Sequence, residues 1–139
     1  MEITRAYVKS ILPHRDPEGH KGTFGKVYCL CGAVGYTGAP VLAASAAVRS
    51  GSGLVFLGVP EDIWPIVAVK CDSAMPSPLP SQQGKLALAA EDAVWARIDG
   101  CDAVLIGCGM GRSGKRRPAP AAHRHGQAAG AGRRRHKRL

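Results

Sequence analysis

Short apolar runs alternate with longer segments of mixed polarity along residues 1–112. Three short runs are mainly apolar and bounded by glycine or polar residues, as buried strands usually are, and they cover residues 27–30, 53–59 and 102–106. In the segments between them, apolar residues recur at helical spacing. We predict a short helix over residues 6–12 and longer helices over residues 39–50, from Glu61 onward, and over residues 84–98.

One segment fits neither pattern. Residues 75–80 read Met-Pro-Ser-Pro-Leu-Pro, and proline cannot donate a hydrogen bond to a neighbouring strand. We therefore predict a loop with a brief edge segment there. Because the remaining strands alternate with helices, the pattern predicts a mainly parallel sheet in an α/β domain with three α/β/α layers.

The length and composition of the chain limit the classes of protein to which it can belong. The chain has 139 residues, enough for one domain, and 45% of them are hydrophobic, which allows a packed core. No apolar run reaches the roughly 18 residues that a membrane span needs. The first residues also lack the basic and apolar regions of a secretory signal, so we expect a cytoplasmic protein without a membrane association.

The net charge of +9 is confined to one end of the chain. Residues 1–112 contain ten Lys or Arg and ten acids, whereas residues 113–139 contain nine Lys or Arg and no acid. The second segment is rich in Arg, Ala and Gly and holds a single Leu, so it lacks the apolar surface that folding requires. We predict a domain over residues 1–112 and a disordered basic tail over residues 113–139.

Five cysteines are present, two of them (Cys29 and Cys31) on one predicted strand. Their spacing matches none of the usual metal-binding patterns, so we expect no metal site. Reduced thiols packed as small apolar groups are the expected state in a cytosolic protein.

Two glycine-rich turns carry the candidate chemistry. The first, with Gly32, Gly35 and Gly38, lies between a strand and a helix, where backbone amides can face an anion. The second, residues 107–111, also follows a strand. Ligands of open α/β sheets bind at the carboxyl ends of strands, so both turns could face one crevice. Their spacing matches no standard phosphate loop, and tight turns without a ligand are the alternative.

Four segments occur in an order that resembles a known family. They are His20-Lys-Gly-Thr-Phe-Gly-Lys-Val27, Gly35-Tyr-Thr-Gly-Ala39, Ala46-Ala-Val-Arg-Ser-Gly-Ser-Gly-Leu-Val55 and Ile106-Gly-Cys-Gly-Met-Gly111. Together they resemble the ADP/ATP-dependent NAD(P)H-hydrate dehydratases of the ribokinase-like superfamily. The resemblance covers roughly residues 5–112 and corresponds to the N-terminal part of that fold.

The resemblance implies a metabolite-repair reaction. Members of the family remove water from hydrated NADH or NADPH, with ADP or ATP as co-substrate and Mg²⁺ as cofactor. By resemblance, Ala39 and Gly111 contact the substrate, with Gly35, Tyr36 and Gly38 as neighbours in the loop. His20, Lys21 and Gly109 are candidates for contacting phosphate or nucleotide, although a solvated His-Lys pair is the alternative for the first two.

The chain also departs from the family. Cys108 stands where proline is usual, and Ala33 stands where serine is usual. The family's substrate-binding histidine, Gly-rich anion hole and catalytic aspartate come from a later part, so no catalytic residue is assigned here. A shifted reading frame or a truncated gene would explain the abrupt change after Arg112, with a genuine basic tail as the alternative.

These departures leave three functions open. The first is an NAD(P)H-hydrate dehydratase that is incomplete and has weak or no activity by itself. The second is a non-catalytic module that binds cofactor or nucleotide. The third is a nucleic-acid-associated protein whose basic tail gives salt-sensitive binding without sequence preference. In each case, a sheet edge without a neighbour favours self-association into a homo-oligomer.

Overall fold

The computed structural model describes residues 2–111. The tail predicted over residues 113–139, with its expected nucleic-acid binding and its three histidines, lies outside the described residues. The boundary predicted near Arg112 also falls outside the described residues, which end at residue 111.

Six strands are present in the described residues. In chain order they are β1 (Lys26–Leu30), β2 (Leu54–Pro60), β3 (Met75–Leu79), β4 (Ser81–Gln82), β5 (Lys85–Leu86) and β6 (Ala103–Ile106). Four of them form one sheet in the order β3-β2-β1-β6, and all its pairs are parallel. The other two, β4 and β5, form an antiparallel hairpin. The parallel sheet confirms the α/β prediction.

Helices cover both faces of the sheet. They are α1 (Arg5–Ile11), α2 (Gly38–Arg49), α3 (Trp64–Lys70) and α4 (Glu91–Ile98), with one 3₁₀ turn at Leu88–Ala90. On one face, α2 and α3 pack against strand residues such as Cys29 and Leu57. On the other, Val94 and Ile98 of α4 pack against Tyr28 and Leu30. The three layers are those that the sequence predicted.

The main core lies between the sheet and the helices α2 and α3. Alanines at positions 43 and 44 let α2 approach the strands closely, and both are buried. Leu57, Val59 and Val67 are fully buried in the same cluster. Since each buried aliphatic side chain contributes about 1.5–3 kcal/mol, this cluster accounts for a large part of the stability.

The proline-rich segment is a strand rather than a loop. Met75–Leu79 pairs in parallel with β2 over five residues and occupies the outer edge of the sheet. Pro76 and Pro78 are tolerated there because an edge strand has one side without a neighbouring strand. The prediction of an edge position was correct, and the prediction of a loop was wrong.

The helix predicted over residues 84–98 starts later in the structure than the sequence indicated. Gln83 and Gly84 both have positive φ angles, +53° and +72°, and form the turn of the β4–β5 hairpin. The helix itself starts at Glu91, after the 3₁₀ turn. Within residues 2–111, no helix has the length and apolar character that crossing a bilayer requires.

Candidate functional site

The sheet reverses its strand order at β1. From β1 the chain moves to β2 and β3 on one side, and it later returns to place β6 on the other side. The carboxyl ends of β1 and β6 therefore flank the point at which open α/β sheets form a ligand crevice. Both glycine-rich turns follow these two strand ends.

The two turns touch each other through Gly109. A β-carbon built on Gly109 would lie 2.5 Å from Cβ of Ala39 and 3.1 Å from Cβ of Tyr36. The φ angle of Gly109 is +70°, which other residues rarely adopt. Any larger residue would push the turns apart, so glycine at this position permits their contact.

The turn between β1 and α2 is built from its own backbone hydrogen bonds. The Tyr36 amide donates to Ala33 O at 2.9 Å, and the Ala39 amide donates to Tyr36 O at 3.2 Å. Helix α2 begins at Gly38, so its positive end lies at the crevice. β-Carbons built on Gly35 and Gly38 would meet nothing within 4 Å. Both glycines therefore border open space into which a ligand could fit.

The β4–β5 hairpin lies beside these turns. The amide of Val34 donates to Gly84 O at 2.8 Å, which ties the hairpin to the β1–α2 turn. The side chain of Lys85 lies over Gly111, with Cε 3.3 Å from the position of a β-carbon on Gly111. The sequence interpretation missed Lys85 because it assigned this segment to a helix.

The structure does not bring His20 and Lys21 to the crevice. They precede β1, and the carbonyl oxygen of Lys21 lies against Gly53, which precedes β2. Nδ1 of His20 accepts a hydrogen bond from the amide of Gly22 at 3.0 Å. Both residues therefore lie at the amino-terminal ends of the strands, on the opposite edge of the sheet from the glycine turns.

The carboxylates divide between the two edges of the sheet. Asp102 directly precedes β6 at the amino-terminal edge, where its Oδ2 accepts a hydrogen bond from the amide of Lys26 at 2.7 Å. At the carboxyl edge, Glu61 and Asp62 follow β2. The Ser81 amide donates to Oε1 of Glu61 at 3.3 Å, and the Ser81 hydroxyl donates to Oδ2 of Asp62 at 2.5 Å. These two acids therefore fasten the start of the hairpin.

The described residues show no cluster of metal ligands. Among residues 2–111, no three His, Cys, Asp or Glu side chains come together as a metal-binding group. Glu61 and Asp62, which follow β2, are engaged by Ser81. We therefore assign no chemical step to Mg²⁺.

Two cysteines from different strands meet at the crevice. Cys31 follows β1 and is fully buried, whereas Cys108 follows β6 and is exposed. The amide of Gly32, next to Cys31, donates a hydrogen bond to Cys108 O at 2.8 Å, so the two cysteines are neighbours at the ends of β1 and β6. Burial, and to a smaller extent the neighbouring thiols of Cys108 and Cys29, raise the pKa of Cys31 to about 12. Cys31 is therefore a protonated thiol at neutral pH.

Comparison with known proteins identifies the family. The family model described as NAD(P)H-hydrate dehydratase matches residues 27–126, which extends beyond the composition boundary near Arg112. The bifunctional NAD(P)H-hydrate repair enzyme of Moorella thermoacetica is 40% identical over 111 residues, covering 79% of this chain and 21% of that enzyme. The ADP-dependent (S)-NAD(P)H-hydrate dehydratase of Bacillus subtilis is 41% identical over 64 residues, covering 46% of this chain and 23% of that enzyme.

Solved structures agree on the fold. A ribokinase-like superfamily protein from Enterococcus faecalis superposes with a TM-score of 0.65 at 20% identity, covering 81% of this chain and 36% of that one. The ADP/ATP-dependent NAD(P)H-hydrate dehydratase of Bacillus subtilis, co-crystallised with ATP and Mg²⁺, gives a TM-score of 0.54 at 26% identity. That match covers 77% of this chain and 45% of the dehydratase.

The chain is much shorter than these relatives. It spans about a fifth of the length of the bifunctional repair enzymes that it matches. Within that span, the parallel sheet, the two glycine turns at its switch point and the family match coincide. This chain therefore belongs to the NAD(P)H-hydrate dehydratase family and has the N-terminal part of its ribokinase-like fold.

Proposed function

We propose that this chain binds NAD(P)H hydrate in the crevice between its two glycine turns and supplies the substrate-recognition half of an NAD(P)H-hydrate dehydratase. The observation that carries the proposal is the contact of Gly109 with Tyr36 and Ala39. This contact joins the β1–α2 turn to the β6 turn at the topological switch point, where α/β folds bind nucleotides. In this proposal Ala39 and Gly111 contact the substrate, as the family resemblance implies.

Four features of the crevice suit an anionic dinucleotide. The amino-terminal end of α2 faces it, and a helix of this polarity favours negative charge. Lys85 places a cationic side chain against Gly111 on the other side. The open space beside Gly35 and Gly38 allows a ligand to approach the backbone closely. Tyr36, which is 56% exposed, offers a ring surface beside that space.

The binding site can be tested with one substitution and a matched control. Gly38→Val would place a branched side chain in the open space, where a β-carbon meets nothing within 4 Å. We expect it to weaken binding of hydrated NADH by about tenfold or more, which corresponds to about 1.4 kcal/mol. Ala46→Val makes a similar change on the exposed side of the same helix and should leave binding unchanged. Equal affinities of a folded Gly38→Val variant and the parent chain would refute this site.

Catalysis by this chain alone is not part of the proposal. The family reaction transfers a phosphoryl group from ADP or ATP, which requires placed charge stabilisation and a group that orients or deprotonates the attacking hydroxyl. The acids Asp72, Asp99 and Asp102 occupy loops at the amino-terminal ends of β3 and β6, away from the glycine turns. We assign the catalytic group to a part of the domain that these 139 residues do not supply.

The activity test uses the 139-residue protein with hydrated NADH, Mg²⁺ and either ADP or ATP, beside a full-length relative. We expect a turnover at least about a hundredfold below that of the relative, a barrier difference of about 2.7 kcal/mol. Turnover within about tenfold would show that the catalytic group lies in this chain. The proposal assigns the protein to the cytoplasm, a reducing compartment in which the free thiol is the resting state of its five cysteines.

A further inference from the structure

We propose that Cys31 and Cys108 form a reversible disulfide that links the ends of β1 and β6, which makes this pair a site of oxidative modification. The pair is separate from the residues proposed to bind substrate. Its basis is the backbone hydrogen bond from Gly32, next to Cys31, to Cys108 O, which brings together two cysteines that lie 77 positions apart in the sequence.

Backbone hydrogen bonds on either side hold the two cysteines in place. The Gly107 amide donates to Leu30 O at 3.2 Å, and the Gly32 amide donates to Cys108 O at 2.8 Å. The two bonds lie on either side of Cys31 and continue the parallel pairing of Leu30 with Ile106. Continued by one residue, that pairing sets Cys31 opposite Gly107, so Cys108 is its diagonal neighbour on the adjacent strand end. A disulfide needs such closeness, because its Cα atoms lie roughly 4.4–6.8 Å apart.

The two thiols differ in a way that suits stepwise oxidation. Cys108 is exposed, so an oxidant can reach its sulfur directly. Cys31 is fully buried and lies next to Cys108 through the Gly32–Cys108 backbone bond, so it is placed to serve as the second, resolving thiol. Redox-active cysteines commonly have this arrangement, with an exposed thiol beside a resolving one.

Hydrogen peroxide is the oxidant we assign. The Cys108 thiolate attacks one peroxide oxygen and the O–O bond breaks, which gives a sulfenic acid and a hydroxide that takes up a proton as water. The Cys31 sulfur then attacks the sulfenic sulfur, the S–O bond breaks, and the leaving hydroxide takes the Cys31 proton as a second water. Two thiols are oxidised to one disulfide, and one peroxide is reduced to two waters.

The other cysteines provide matched controls. Cys29 precedes Cys31 by two residues and is buried in the same cluster, whereas Cys101 precedes β6 and packs on the opposite face. Cys71 follows α3. None of the three follows β1 or β6 as Cys31 and Cys108 do.

The experiment treats the reduced 139-residue protein with hydrogen peroxide, blocks the remaining thiols and maps the tryptic peptides by mass spectrometry. Trypsin gives one peptide of residues 27–49, with Cys29 and Cys31, and another of residues 98–112, with Cys101 and Cys108. Fragmentation then shows which cysteine of each peptide is linked. We expect a Cys31–Cys108 link that dithiothreitol reverses. Cys108→Ser should lower the yield of linked peptide at least about tenfold, whereas Cys101→Ser and Cys71→Ser should retain it. Because Cys108 is exposed, its serine variant should fold, which circular dichroism would check.

Three results would overturn the proposal. The first is oxidation of Cys108 to sulfinic acid while Cys31 remains a free thiol. The second is a link that runs through Cys29 or Cys101 instead. The third is a link that forms only between chains, recognised by a yield that rises with protein concentration and by a dimer on a non-reducing gel. None of these results depends on whether hydrated NADH binds.

Discussion

Strands β2 and β6 both flank β1, yet one is buried and the other is exposed. Leu57 of β2 and Leu105 of β6 lie opposite the same residue, Cys29, one on each side. Leu57 has no exposed surface, whereas Leu105 is 37% exposed. Both strands are apolar, so composition does not separate them. The difference comes from the elements that surround each strand.

Strand β2 has a paired strand on each side and a helix across one face. It pairs with β1 on one side and β3 on the other, and α2 packs across it. Within residues 2–111, β6 pairs with β1 alone, and all four of its residues are exposed. An exposed apolar strand with a free edge favours association with another chain. The comparison therefore identifies β6 as the surface through which we expect self-association.

The largest expected effect comes from shortening the two leucines. Leu57→Ala should lower the free energy of unfolding by about 2–5 kcal/mol, because it leaves a cavity in a fully packed core. Leu105→Ala removes the same atoms from an exposed strand and should cost less than about 1 kcal/mol. Urea denaturation followed by circular dichroism measures both. Equal costs that depend on protein concentration would show that a second copy covers β6.

The next effect concerns the contact that holds the turn after β6 against the rest of the domain. Gly109→Ala should cost about 1–3 kcal/mol, because the new methyl group meets Ala39 and the backbone has a positive φ angle. Gly38→Ala is the control, since a methyl group there meets nothing within 4 Å. The same urea titration compares the two variants. A neutral Gly109→Ala variant would mean that the two turns do not touch in solution.

A pH titration tests how well the sheet is shielded on its other face. Tyr28 lies between Phe56 of β2 and Val104 of β6 and is 3% exposed. Burial raises its pKa from 10.0 to about 12, although the Arg97 charge opposes part of that rise. The unfolded chain thus loses the Tyr28 proton first. Its contribution to stability is complete below about pH 10 and declines as the pH rises towards 12.

The titration of Tyr28 alone should lower the free energy of unfolding by roughly 1 kcal/mol between pH 9 and 11. Tyr28→Phe keeps the ring and removes the titrating hydroxyl, so its decline should be smaller. Burial also raises the pKa of the Cys29 and Cys31 thiols, so some decline should remain. Identical pH profiles for Tyr28→Phe and the parent chain would show that the loss of stability at high pH does not come from Tyr28.

Strands β1, β2 and β6 could be predicted because each apolar run has a local signal, whereas the prolines of β3 concealed its pairing. The hairpin could not be predicted either, and the reason is specific. Leu86, Val94 and Ile98 recur at helical spacing and do pack on one cluster. However, Leu86 reaches that cluster from a strand and the other two reach it from α4. Spacing alone cannot distinguish one helix from three consecutive elements that face the same core.

The candidate site was predictable only in part. Strand ends and glycines indicated where the two turns lie, because parallel strands end at one edge of the sheet. The contact of Lys85 with Gly111 and the pairing of Cys31 with Cys108 depend on distant segments approaching each other. No local pattern encodes such contacts. His20 and Lys21, which the sequence offered as candidates for contacting phosphate, lie at the opposite edge for the same reason.

The smallest expected effect concerns the other end of the β1–β6 pair, where a single side chain joins the two strands. Oδ2 of Asp102 accepts a hydrogen bond from the amide of Lys26 at 2.7 Å, and Asp102 is exposed. Asp102→Ala should cost about 0.5–1.5 kcal/mol, since the lost bond is charge-assisted but open to water. Asp102→Asn retains an acceptor and should cost less. Asp99→Ala, at the end of α4, is the control for removing a nearby negative charge. If all three variants unfold at the same urea concentration as the parent, β6 is held by its backbone pairing and its turn alone.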